Sequence, residues 1–357
     1  MQSKSKIIKV SEILEKLREK ELLIRTREIS PKTLFNSMKY PITDTRELEK
    51  RADTPKETSS FLPYICIEGT VYDGHTFIGQ AVQSGIRLFI VEKEQKRDDI
   101  MQIIVKDSRK TLAVISNLFF DYPSSKLFMI GITGTNGKTS ILRLIESVLS
   151  KLGKSVGSIG TLGYMINGEH HELERTTPDI KELHSILDEM VLNGVQYVIM
   201  EVSSHALKLN RVFELKYNLA IFTNLTRDHL DFHPDMEDYY LGKKMLFDNL
   251  NGPALINTDD SYGARLFSEF TGEKYAISTN NYSNSDIRYK IHQSNLFETR
   301  FQLEFKGDYR EKFVLQRANS SDFIIETPLL GSHNAFNITA ALAAVNIITE
   351  TFSDDTI

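Results

Sequence analysis

A glycine-rich turn between an apolar strand and a helix constrains this chain more strongly than any other feature. The run KLFMIGI leads directly into GITGTNGKTS, Gly131 to Ser140, and a helix is predicted from Lys138 to Leu152. Glycines let backbone N–H groups turn toward phosphate oxygens, and the helix N-terminus adds a partial positive charge. The segment therefore predicts a loop that holds the phosphates of a nucleoside triphosphate, with ATP expected. In such a loop Lys138 would reach the β- and γ-phosphates, and the Thr139 hydroxyl would bind Mg²⁺.

The glycine spacing departs from the strict phosphate-loop pattern, GxxxxGK[ST]. That pattern requires a glycine where this chain has Ile132, and the glycines of this chain stand at 131, 134 and 137. An ordinary glycine-rich turn between a strand and a helix is the alternative interpretation. The lysine, the threonine and the two flanking elements together disfavour that alternative.

Length, charge and cysteine content exclude several classes of protein. The 357 residues suffice for two domains, and 41% apolar residues can form real cores. A net charge of -5 implies no broad basic surface, so nucleic acid is not expected as a partner. The single cysteine, Cys66, excludes an internal disulfide framework. The sequence has no apolar stretch long enough to cross a bilayer, and its N-terminal residues have the periodicity of an amphipathic helix rather than a signal peptide. We expect a cytoplasmic, monomeric protein without membrane insertion.

Strands and helices alternate along the first third of the chain. The strand-like runs are PYICIEG, RLFIVEK and QIIVKD. The helix-like runs are HTFIGQAVQSG and SRKTLAVISNLFF, and Ser108 is expected to cap the second of them. This alternation predicts a small α/β domain, residues 1–124, which ends in the linker DYPSS.

A second α/β series occupies residues 125–357. The runs KLFMIGI, SVGSIGT, YVIMEVS and LAIFTNL have the apolar, β-branched character of parallel strands covered on both faces. From about Asp286 to Thr327, alternating polarity in IRYKIHQ, TRFQLEF and EKFVLQR favours antiparallel strands, and HNAFNITAALAAVNIIT is a last helix. The predicted fold class is α/β. It combines a small N-terminal α/β domain with a phosphate-loop ATPase domain that has a mostly parallel sheet and an added antiparallel region.

Acidic residues follow two of the predicted parallel strands. Glu201 ends YVIME, and Asp228, His229 and Asp231 come after LAIFTNL. Sites in parallel sheets gather at the carboxyl ends of strands, and an Mg²⁺–ATP site needs carboxylates beyond the loop. Glu201 is therefore a candidate metal ligand. An alternative interpretation of Glu201 is a glutamate at the surface end of a strand. The cluster after LAIFTNL could equally be a helix cap with a hydrogen-bonded histidine.

Four segments, in this order, resemble the central ATPase domain of the Mur ligases: GTNGKT, EVSSHAL, TNLTRDHLDFH and HNAFN. The N-terminal segments TDTREL and CIEGTVYDGHTFIGQAVQSG are similar to the UDP-binding domain of the MurE type within that family. Mur ligases are cytoplasmic amino-acid ligases of peptidoglycan synthesis, and the MurE type adds the third residue to UDP-MurNAc-L-Ala-D-Glu. The resemblance implies that residues 1–124 bind the UDP-sugar and that residues 125–357 form the ATPase domain.

The resemblance also implies a reaction and its catalytic residues. In the family, ATP phosphorylates a peptide carboxylate, and the amine of an amino acid then attacks the acyl phosphate. The residues that match catalytic positions are Lys138, Glu201, His229 and Lys243. The implied ligands of two Mg²⁺ ions are Thr139, Glu201, His229 and Lys243, the last as a carbamate. Lys244 is adjacent, so this assignment can shift by one, although the spacing to the following MLF favours Lys243.

Binding residues are implied at further positions. For ATP these are Gly134, Thr135, Asn136, Gly137, Lys138, Thr139, Ser140, Asn334 and Asn337. For the sugar–peptide substrate and its uridine end these are Thr45, Arg46, Asp73, Gly74, Thr176, Thr177, Ser203 and Arg211. For Asn334 and Asn337, a role in helix capping and packing is as well supported as contact with ATP. The pair Asp73-Gly74 is also an ordinary turn sequence. The guanidinium of Arg211 suits a carboxylate or phosphate because it can donate two parallel hydrogen bonds.

Mur ligases carry a third domain after the HNxxN helix, and this chain ends at FSDDTI, before such a domain. That domain supplies a second face of the ATP site and the amino-acid pocket. Diaminopimelate- and lysine-adding types are therefore not distinguished, and little ligase activity is expected from the chain alone. The alternatives are a non-catalytic relative that binds nucleotide or UDP-sugar, and a folylpolyglutamate-synthase-like ligase. The DTR and DGHTF segments argue against the second. The first is disfavoured by four retained residues: Lys138, Glu201, His229 and Lys243.

Overall fold

Two compact units make up the computed structural model. The structure describes residues 8–30, 33, 37–44, 46, 60–69, 72–279, 285–295, 297–307, 309–310 and 322–351. The first unit consists of Met1–Pro123, Asp179–Asp188 and Leu209–Glu214, and the second of Ser124–Pro178, Glu189–Lys208 and Leu215–Ile357. Two short segments, 179–188 and 209–214, thus group with the N-terminal residues. The division at residue 124 into a UDP-sugar-binding and an ATPase domain stays a prediction.

A four-stranded sheet organises the described part of the first unit. The helices and strands described in this unit are β1 (Ile8–Lys9), α1 (Val10–Glu19), β2 (Leu23–Arg27), β3 (Ser37–Met38), β4 (Ser60–Phe61), β5 (Tyr64–Ile65), α2 (Ile78–Gln83), β6 (Leu88–Val91), β7 (Met101–Val105) and α3 (Ser108–Phe119). The sheet order is β2-β7-β6-β5, parallel except for β2. Short pairings join β1, β3 and β4. The predicted N-terminal helix is confirmed as α1, whose apolar face is buried.

Helix α3 begins with a different cap from the predicted one. Asp107 is the N-cap, since its side chain accepts a hydrogen bond from Lys110 N at 2.8 Å. The expected cap, Ser108, is the first helical residue, and its hydroxyl donates to Glu92 Oε1 at 2.6 Å. The aspartate is favoured at the cap because its negative charge also interacts with the helix dipole.

The remaining elements include the central sheet of the second unit. In chain order they are β8 (Phe128–Thr133), α4 (Lys138–Lys151), β9 (Val156–Gly160), β10 (Gly163–Ile166), β11 (Glu169–His171), α5 (Ile180–Leu192), β12 (Tyr197–Glu201), α6 (Ser204–Lys208), β13 (Leu219–Phe222), α7 (Met236–Asp248), β14 (Ala254–Asn257), α8 (Ser261–Glu269), β15 (Lys274–Ser278), β16 (Ile287–Ser294), β17 (Thr299–Phe305), β18 (Asp322–Thr327) and α9 (Ser332–Thr351). Within the described residues the sheet has eleven strands, in the order β11-β10-β9-β12-β8-β13-β14-β15-β16-β17-β18.

The sheet is parallel from β9 to β16, and its two margins are antiparallel. The α/β class and the mostly parallel sheet are thereby confirmed. IRYKIHQ and TRFQLEF form the antiparallel pair β16 and β17, as predicted. EKFVLQR lies outside the described residues, so that strand stays a prediction. Besides β16, strand β17 pairs with β18, which the sequence pattern did not reveal. Among the described helices, none has both the length and the apolarity needed to cross a bilayer.

Neighbouring parallel strands create the edge at which a site is expected. Strand β8 pairs with β12 on one side and with β13 on the other. The chain leaves β8 through α4 toward β9 and β12, and reaches β13 on the opposite side, so the carboxyl end of β8 is a topological switch point. Ligands of open α/β sheets bind in the crevice at such a point. Buried residues of β8, α4 and α9 pack together beneath this edge as one core.

Candidate active site

The predicted phosphate loop lies between β8 and α4. Strand β8 ends at Thr133 and α4 begins at Lys138, which leaves residues 134–137 as the loop. Ile132, which replaces the usual glycine, is a fully buried residue of β8. The unusual spacing therefore has a structural reason: position 132 belongs to the strand, and the loop starts after it.

Two loop positions require glycine for both conformation and space. The φ angles of Gly134 and Gly137 are +143° and +91°, values that other residues rarely adopt. A Cβ at Gly134 would lie 1.9 Å from Thr223 Oγ1, and a Cβ at Gly137 would lie 2.7 Å from Asn337 Oδ1. The loop backbone thus passes directly against the residue that follows β13 and against α9.

A polar segment after β13, Thr223–Thr226, holds this loop. Thr223 Oγ1 donates to Asn136 O at 2.6 Å, and Asn224 Oδ1 accepts from Asn136 N at 3.0 Å. The carbonyl of Asn224 also accepts from Thr135 N at 2.9 Å. Neither Thr223 nor Asn224 was predicted as a site residue. The available signal was the position of polar residues directly after an apolar parallel strand.

Two lysines converge on one carbonyl of the loop. Lys138 Nζ donates to Gly134 O and to Thr135 O at 2.8 Å each, and Lys243 Nζ donates to Gly134 O at 2.8 Å. Burial lowers the pKa of Lys138. Burial together with the neighbouring Lys138 charge lowers the pKa of Lys243 well below its usual value. The site therefore favours a fraction of neutral amine at Lys243.

The two adjacent lysines of α7 have different surroundings. Lys243 is 1% exposed and lies against the loop, with its Nζ 4.4 Å from the ring centroid of Tyr239. Lys244 forms an ion pair with Asp248 at 2.5 Å, one turn along the same helix. Of the two, only Lys243 is placed where a side-chain carbamate would face the phosphate loop.

A buried carboxylate lies at the end of β12. Glu201 is 1% exposed, and its Oε1 accepts from Thr139 Oγ1 at 2.8 Å and from Thr161 N at 3.0 Å. Its Oε2 accepts from Thr161 Oγ1 at 3.1 Å. A Cβ at Gly160 would lie 2.3 Å from Glu201 Oε1, so this glycine makes room for the carboxylate. Gly160 and Thr161 were not predicted as site residues.

The donor set at this point fits Mg²⁺. The hydroxyl of Thr139 and the carboxylate of Glu201 are hard oxygen ligands in contact with each other. In the part of the chain that the structure describes, no three His, Cys, Asp or Glu side chains converge as a metal site. Mg²⁺ does not require such a cluster, because it keeps several waters and binds to one or two carboxylates together with substrate phosphates.

His229 lies beside Tyr239 in the turn that follows β13. Its φ is +52°, its side chain is 49% exposed, and its Nε2 lies 3.5 Å from Asp228 Oδ2. Its ring stands edge-on to Tyr239, the residue whose ring lies beside Lys243 Nζ, with 6.2 Å between ring centroids. The charge of Asp228 acts on both Lys138 and Lys243, partly opposing the fall in their pKa. Asp231 is exposed in the same turn.

A cleft of about 500 Å³ opens beside the loop. Its lining residues are Asn136, Gly137, Ser140, Asn224, Asn257, Tyr289, Ser332, His333, Phe336 and Asn337. The rings of Tyr289 and Phe336, with centroids 6.5 Å apart, give it an aromatic wall. Asn337 borders the cleft, whereas Asn334 Nδ2 donates to Leu330 O at 2.8 Å. The two predicted asparagines therefore differ: one faces the cleft, and the other holds the start of α9.

Three of the predicted substrate residues gather around Glu201. Thr177 Oγ1 donates to Glu201 O at 3.0 Å, and Ser203 N donates to Thr177 Oγ1 at 3.3 Å. Thr176 Oγ1 lies 3.2 Å from Thr161 Oγ1, which itself bonds to Glu201. At the carboxyl end of β12, a candidate metal ligand, Glu201, thus lies among several threonine hydroxyl groups.

The remaining predicted substrate residues belong to the first unit. Arg211 Nε lies 3.0 Å from Asp179 Oδ1. Arg46 is strongly exposed and donates from Nε to Asp44 Oδ2 at 2.8 Å. Thr45 lies outside the described residues.

The Asp73-Gly74 turn is more constrained than an ordinary turn. Asp73 Oδ1 accepts from His75 N at 3.0 Å and lies 2.6 Å from His75 Nδ1. These bonds, that of the backbone N–H first, lower the pKa of Asp73 to about 2. A Cβ at Gly74 would lie 2.7 Å from Ile67 N, so glycine is required there. His75 was not predicted as a site residue.

Comparison with known proteins identifies a matching family model and named relatives. The family model described as "Mur ligase middle domain" matches residues 132–345. The UDP-N-acetylmuramoyl-L-alanyl-D-glutamate--2,6-diaminopimelate ligase of Clostridium perfringens is 40% identical over 263 residues, which are 73% of this chain and 50% of the relative. The chain thus spans about half the length of the curated relatives it matches.

Solved structures show the same likeness. A structure of a UDP-N-acetylmuramoyl-L-alanyl-D-glutamate--2,6-diaminopimelate ligase is 25% identical, with a TM-score of 0.72, over 98% of this chain and 65% of that one. A folylpolyglutamate synthase of Mycobacterium tuberculosis, in complexes with ADP and AMPPCP, is 15% identical, with a TM-score of 0.50, over 69% of this chain and 60% of that one. The second likeness concerns the fold alone.

Proposed function

The chain belongs to the Mur ligase family, and we propose that it is the part of a MurE-type ligase that binds ATP and UDP-MurNAc-L-Ala-D-Glu. The reaction is the ATP-dependent addition of a third residue to the peptide, in the cytoplasm. The observation that carries the proposal is the convergence of Lys138 and Lys243 on Gly134 O, together with the hydrogen bond from Thr139 to the buried Glu201. Diaminopimelate is the favoured amino acid, because similar proteins such as the Clostridium perfringens ligase are named for it.

ATP is assigned to the loop and the adjoining cleft. The backbone N–H groups of the loop and the N-terminus of α4 favour phosphate oxygens. The aromatic wall of Tyr289 and Phe336 suits a stacked base, and the Asn337 amide borders the same space. A base in this cleft and phosphates at residues 134–139 lie next to each other, as a single nucleotide requires.

Mg²⁺ is assigned to Thr139 and Glu201, with His229 and a carbamate on Lys243 as the ligands of a second ion. Bound Mg²⁺ supplies neutralisation of the charge on the transferred phosphoryl group. Two observations support the carbamate: Lys243 is buried against the loop, and its pKa is well below the usual value. Carbon dioxide reacts with neutral amines, so a low pKa favours this modification.

The residues of the chain then act mainly by position and charge. A carboxylate oxygen of the substrate attacks the γ-phosphorus of ATP, the bond to the bridging oxygen breaks and ADP leaves. The amine of the amino acid attacks the resulting acyl phosphate, phosphate leaves and the amine proton passes to solvent. Lys138 stabilises the negative charge of the phosphoryl group, and Glu201 fixes the Thr139 hydroxyl. Thr176, Thr177 and Ser203 are assigned to the sugar–peptide substrate, which would meet the phosphate loop at the end of β12.

Nucleotide binding tests the proposal. Isothermal titration with Mg²⁺ and ADP is expected to show binding to the chain. Lys138→Met is expected to weaken it about 10- to 100-fold, because a charge-assisted hydrogen bond contributes roughly 1.5–3 kcal/mol. Lys154→Met, a lysine between α4 and β9, is the matched control and should bind as the wild type does. Equal binding by both variants would contradict the assignment of the loop.

A second titration tests the substrate. We expect the chain to bind UDP-MurNAc-L-Ala-D-Glu, and we expect a folate to show no binding. Binding of the folate alone would favour the folylpolyglutamate-synthase alternative, whose solved relative covers 69% of the chain against 98% for the diaminopimelate ligase.

A further inference from the structure

A polar relay with a buried serine and a buried histidine lies beside Lys243 and has no part in the function proposed above. We give the name "polar relay" to Ser204, His233 and Asp238. His233 is fully buried, with Nδ1 at 2.7 Å from Asp238 Oδ2 and Nε2 at 2.9 Å from Ser204 Oγ. Ser204 is the first residue of α6, and Asp238 lies in the first turn of α7. The relay therefore connects α6 to α7, the helix that carries Lys243. Helix α6 begins directly after Ser203, which is predicted to bind the substrate.

The charges around the relay fix its hydrogen-bond directions. Lys208 Nζ also bonds to Asp238 Oδ1, and the bonds from Lys208 and His233 lower the pKa of Asp238. An ionised carboxylate can only accept, so His233 Nδ1 carries a proton. In the neutral ring Nε2 then accepts from the Ser204 hydroxyl. Each polar atom of the His233 ring is thus satisfied within the relay.

The order serine, histidine, aspartate is also that of a hydrolytic nucleophile and its base. Such a nucleophile must meet a substrate, whereas Ser204 is 1% exposed and His233 is 0% exposed. Because Ser204 and His233 are buried, they cannot act on a substrate as nucleophile and base, but they can hold neighbouring elements in position.

The relay touches the residues that hold Lys243 in place. On α7 the pairs Asp238–Gly242 and Tyr239–Lys243 are each four residues apart and so share one face of the helix. The His233 ring packs on the Tyr239 ring, with 4.8 Å between centroids, and Lys243 Nζ lies 4.4 Å from the same ring. A Cβ at Gly242 would lie 3.2 Å from His233 Cε1, so the glycine lets α7 approach the relay closely.

We propose that His233 is a positioning residue, which through Ser204 and Asp238 fixes α7 against α6 so that Lys243 Nζ stays at Gly134 O. The importance of His233 for the reaction rests on the proposed function, but its role in holding Lys243 at Gly134 O does not. Loss of the relay should release Lys243 from the loop without removing any group that meets ATP.

The test measures the accessibility of Lys243 directly. The whole chain is treated with formaldehyde and borohydride, and peptide mass spectrometry follows the methylation of Lys243, with Lys244 as the internal reference. His233→Asn and Ser204→Ala are compared with Leu303→Ala, a buried residue of β17 outside the relay that serves as a control for lost stability. His233→Gln, whose amide is long enough to reach Ser204, is the rescue variant.

We expect Lys243 to be modified faster in His233→Asn and Ser204→Ala than in the wild type, by at least about tenfold, the smallest loss of affinity or activity typical when an outer-shell partner of a metal ligand is removed. His233→Gln should lie closer to the wild-type rate, and Leu303→Ala should match the wild type despite a similar loss of melting temperature. Wild-type rates in the relay variants, or an equal increase in Leu303→Ala, would overturn the proposal. Should the wild type fail to bind Mg²⁺ and ADP, the proposed function fails, but the labelling rates still decide the role of the relay.

Discussion

Replacing Gly160 with alanine is expected to disable the metal site through one contact. The new Cβ would lie 2.3 Å from Glu201 Oε1 and 2.9 Å from its Cδ, whereas carbon contacts are comfortable at roughly 3.5–4.0 Å. The carboxylate must therefore move by about 1 Å. Because Glu201 is 1% exposed and bonded to Thr139 and Thr161 at 2.8–3.1 Å, a shift of that size breaks at least one charge-assisted hydrogen bond.

The expected magnitudes follow from that lost bond. A hydrogen bond to a charged group contributes roughly 1.5–3 kcal/mol to the stability of the folded protein. Alanine in place of glycine in a strand stabilises the folded protein by about 0.5–1 kcal/mol, which partly offsets the loss. The free energy of unfolding should fall by about 1–2 kcal/mol, measured by urea denaturation. The affinity for Mg²⁺ and ADP should fall by about 10- to 100-fold, measured by isothermal titration, because the carboxylate no longer holds the Thr139 hydroxyl.

Gly157→Ala in the same strand is the matched control. Its Cβ would meet Met190 Sδ at 2.8 Å, Met190 Cε at 2.9 Å and Met165 O at 3.3 Å, so it is also crowded, though less than at Gly160. A thioether has no strong hydrogen bond to lose and can change rotamer. Gly157→Ala should therefore retain nucleotide affinity. Wild-type affinity in Gly160→Ala, or an equal loss in the two variants, would refute the reasoning.

Three further predictions follow from burial and from the lining of the cleft. Burial lowers the pKa of His184 from 6.5 to about 4, so its stabilisation is complete above pH 6.5 and is lost as pH falls toward 4. His184→Leu should remove up to about 3 kcal/mol of that pH dependence, measured by urea unfolding at a series of pH values. Asn337→Ala should weaken ADP binding about tenfold by titration, the equivalent of one lost hydrogen bond, whereas Asn334→Ala should mainly lower the melting temperature. Lys243→Met should abolish the mass increase and the ¹³C resonance of a lysine carbamate in labelled bicarbonate, and Lys244→Met should leave both unchanged.

The main elements of the second unit could be predicted because their signals are local. Apolar runs of four to six residues identified β8, β12 and β13, and the glycines with Lys138 identified the loop between β8 and α4. The strand β18 was missed, since Asp322–Thr327 follows a segment whose alternation suggested a strand elsewhere. The cap of α3 was placed one residue late because Asp107 and Ser108 both suit that position.

The missed site residues depend on contacts between distant parts of the chain. Thr223 and Gly160 are ordinary residues in their own segments, and only the order of the strands brings them to Gly134 and Glu201. The residues of the cleft likewise come from β16 and α9 as well as from the loop. A pattern in one segment contains no information about such pairs, whereas a family resemblance supplies some of the positions without the reason for them.

The two lysines on one carbonyl make a physical case for the carbamate. Holding the buried Lys243 and the partly buried Lys138 at Gly134 O as two ammonium groups is unfavourable, since burial and the charge of Lys138 both disfavour a cation at Lys243. Loss of the Lys243 proton would remove the repulsion, and reaction of the neutral amine with carbon dioxide would replace it by an attraction between the proposed carbamate and Lys138. The same anion would add oxygen ligands for Mg²⁺. The pKa of Lys243 is lowered by its burial and by the neighbouring Lys138, and with the position of Nζ beside the loop this supports the proposed carbamate, whereas Lys244 is paired with Asp248 at 2.5 Å.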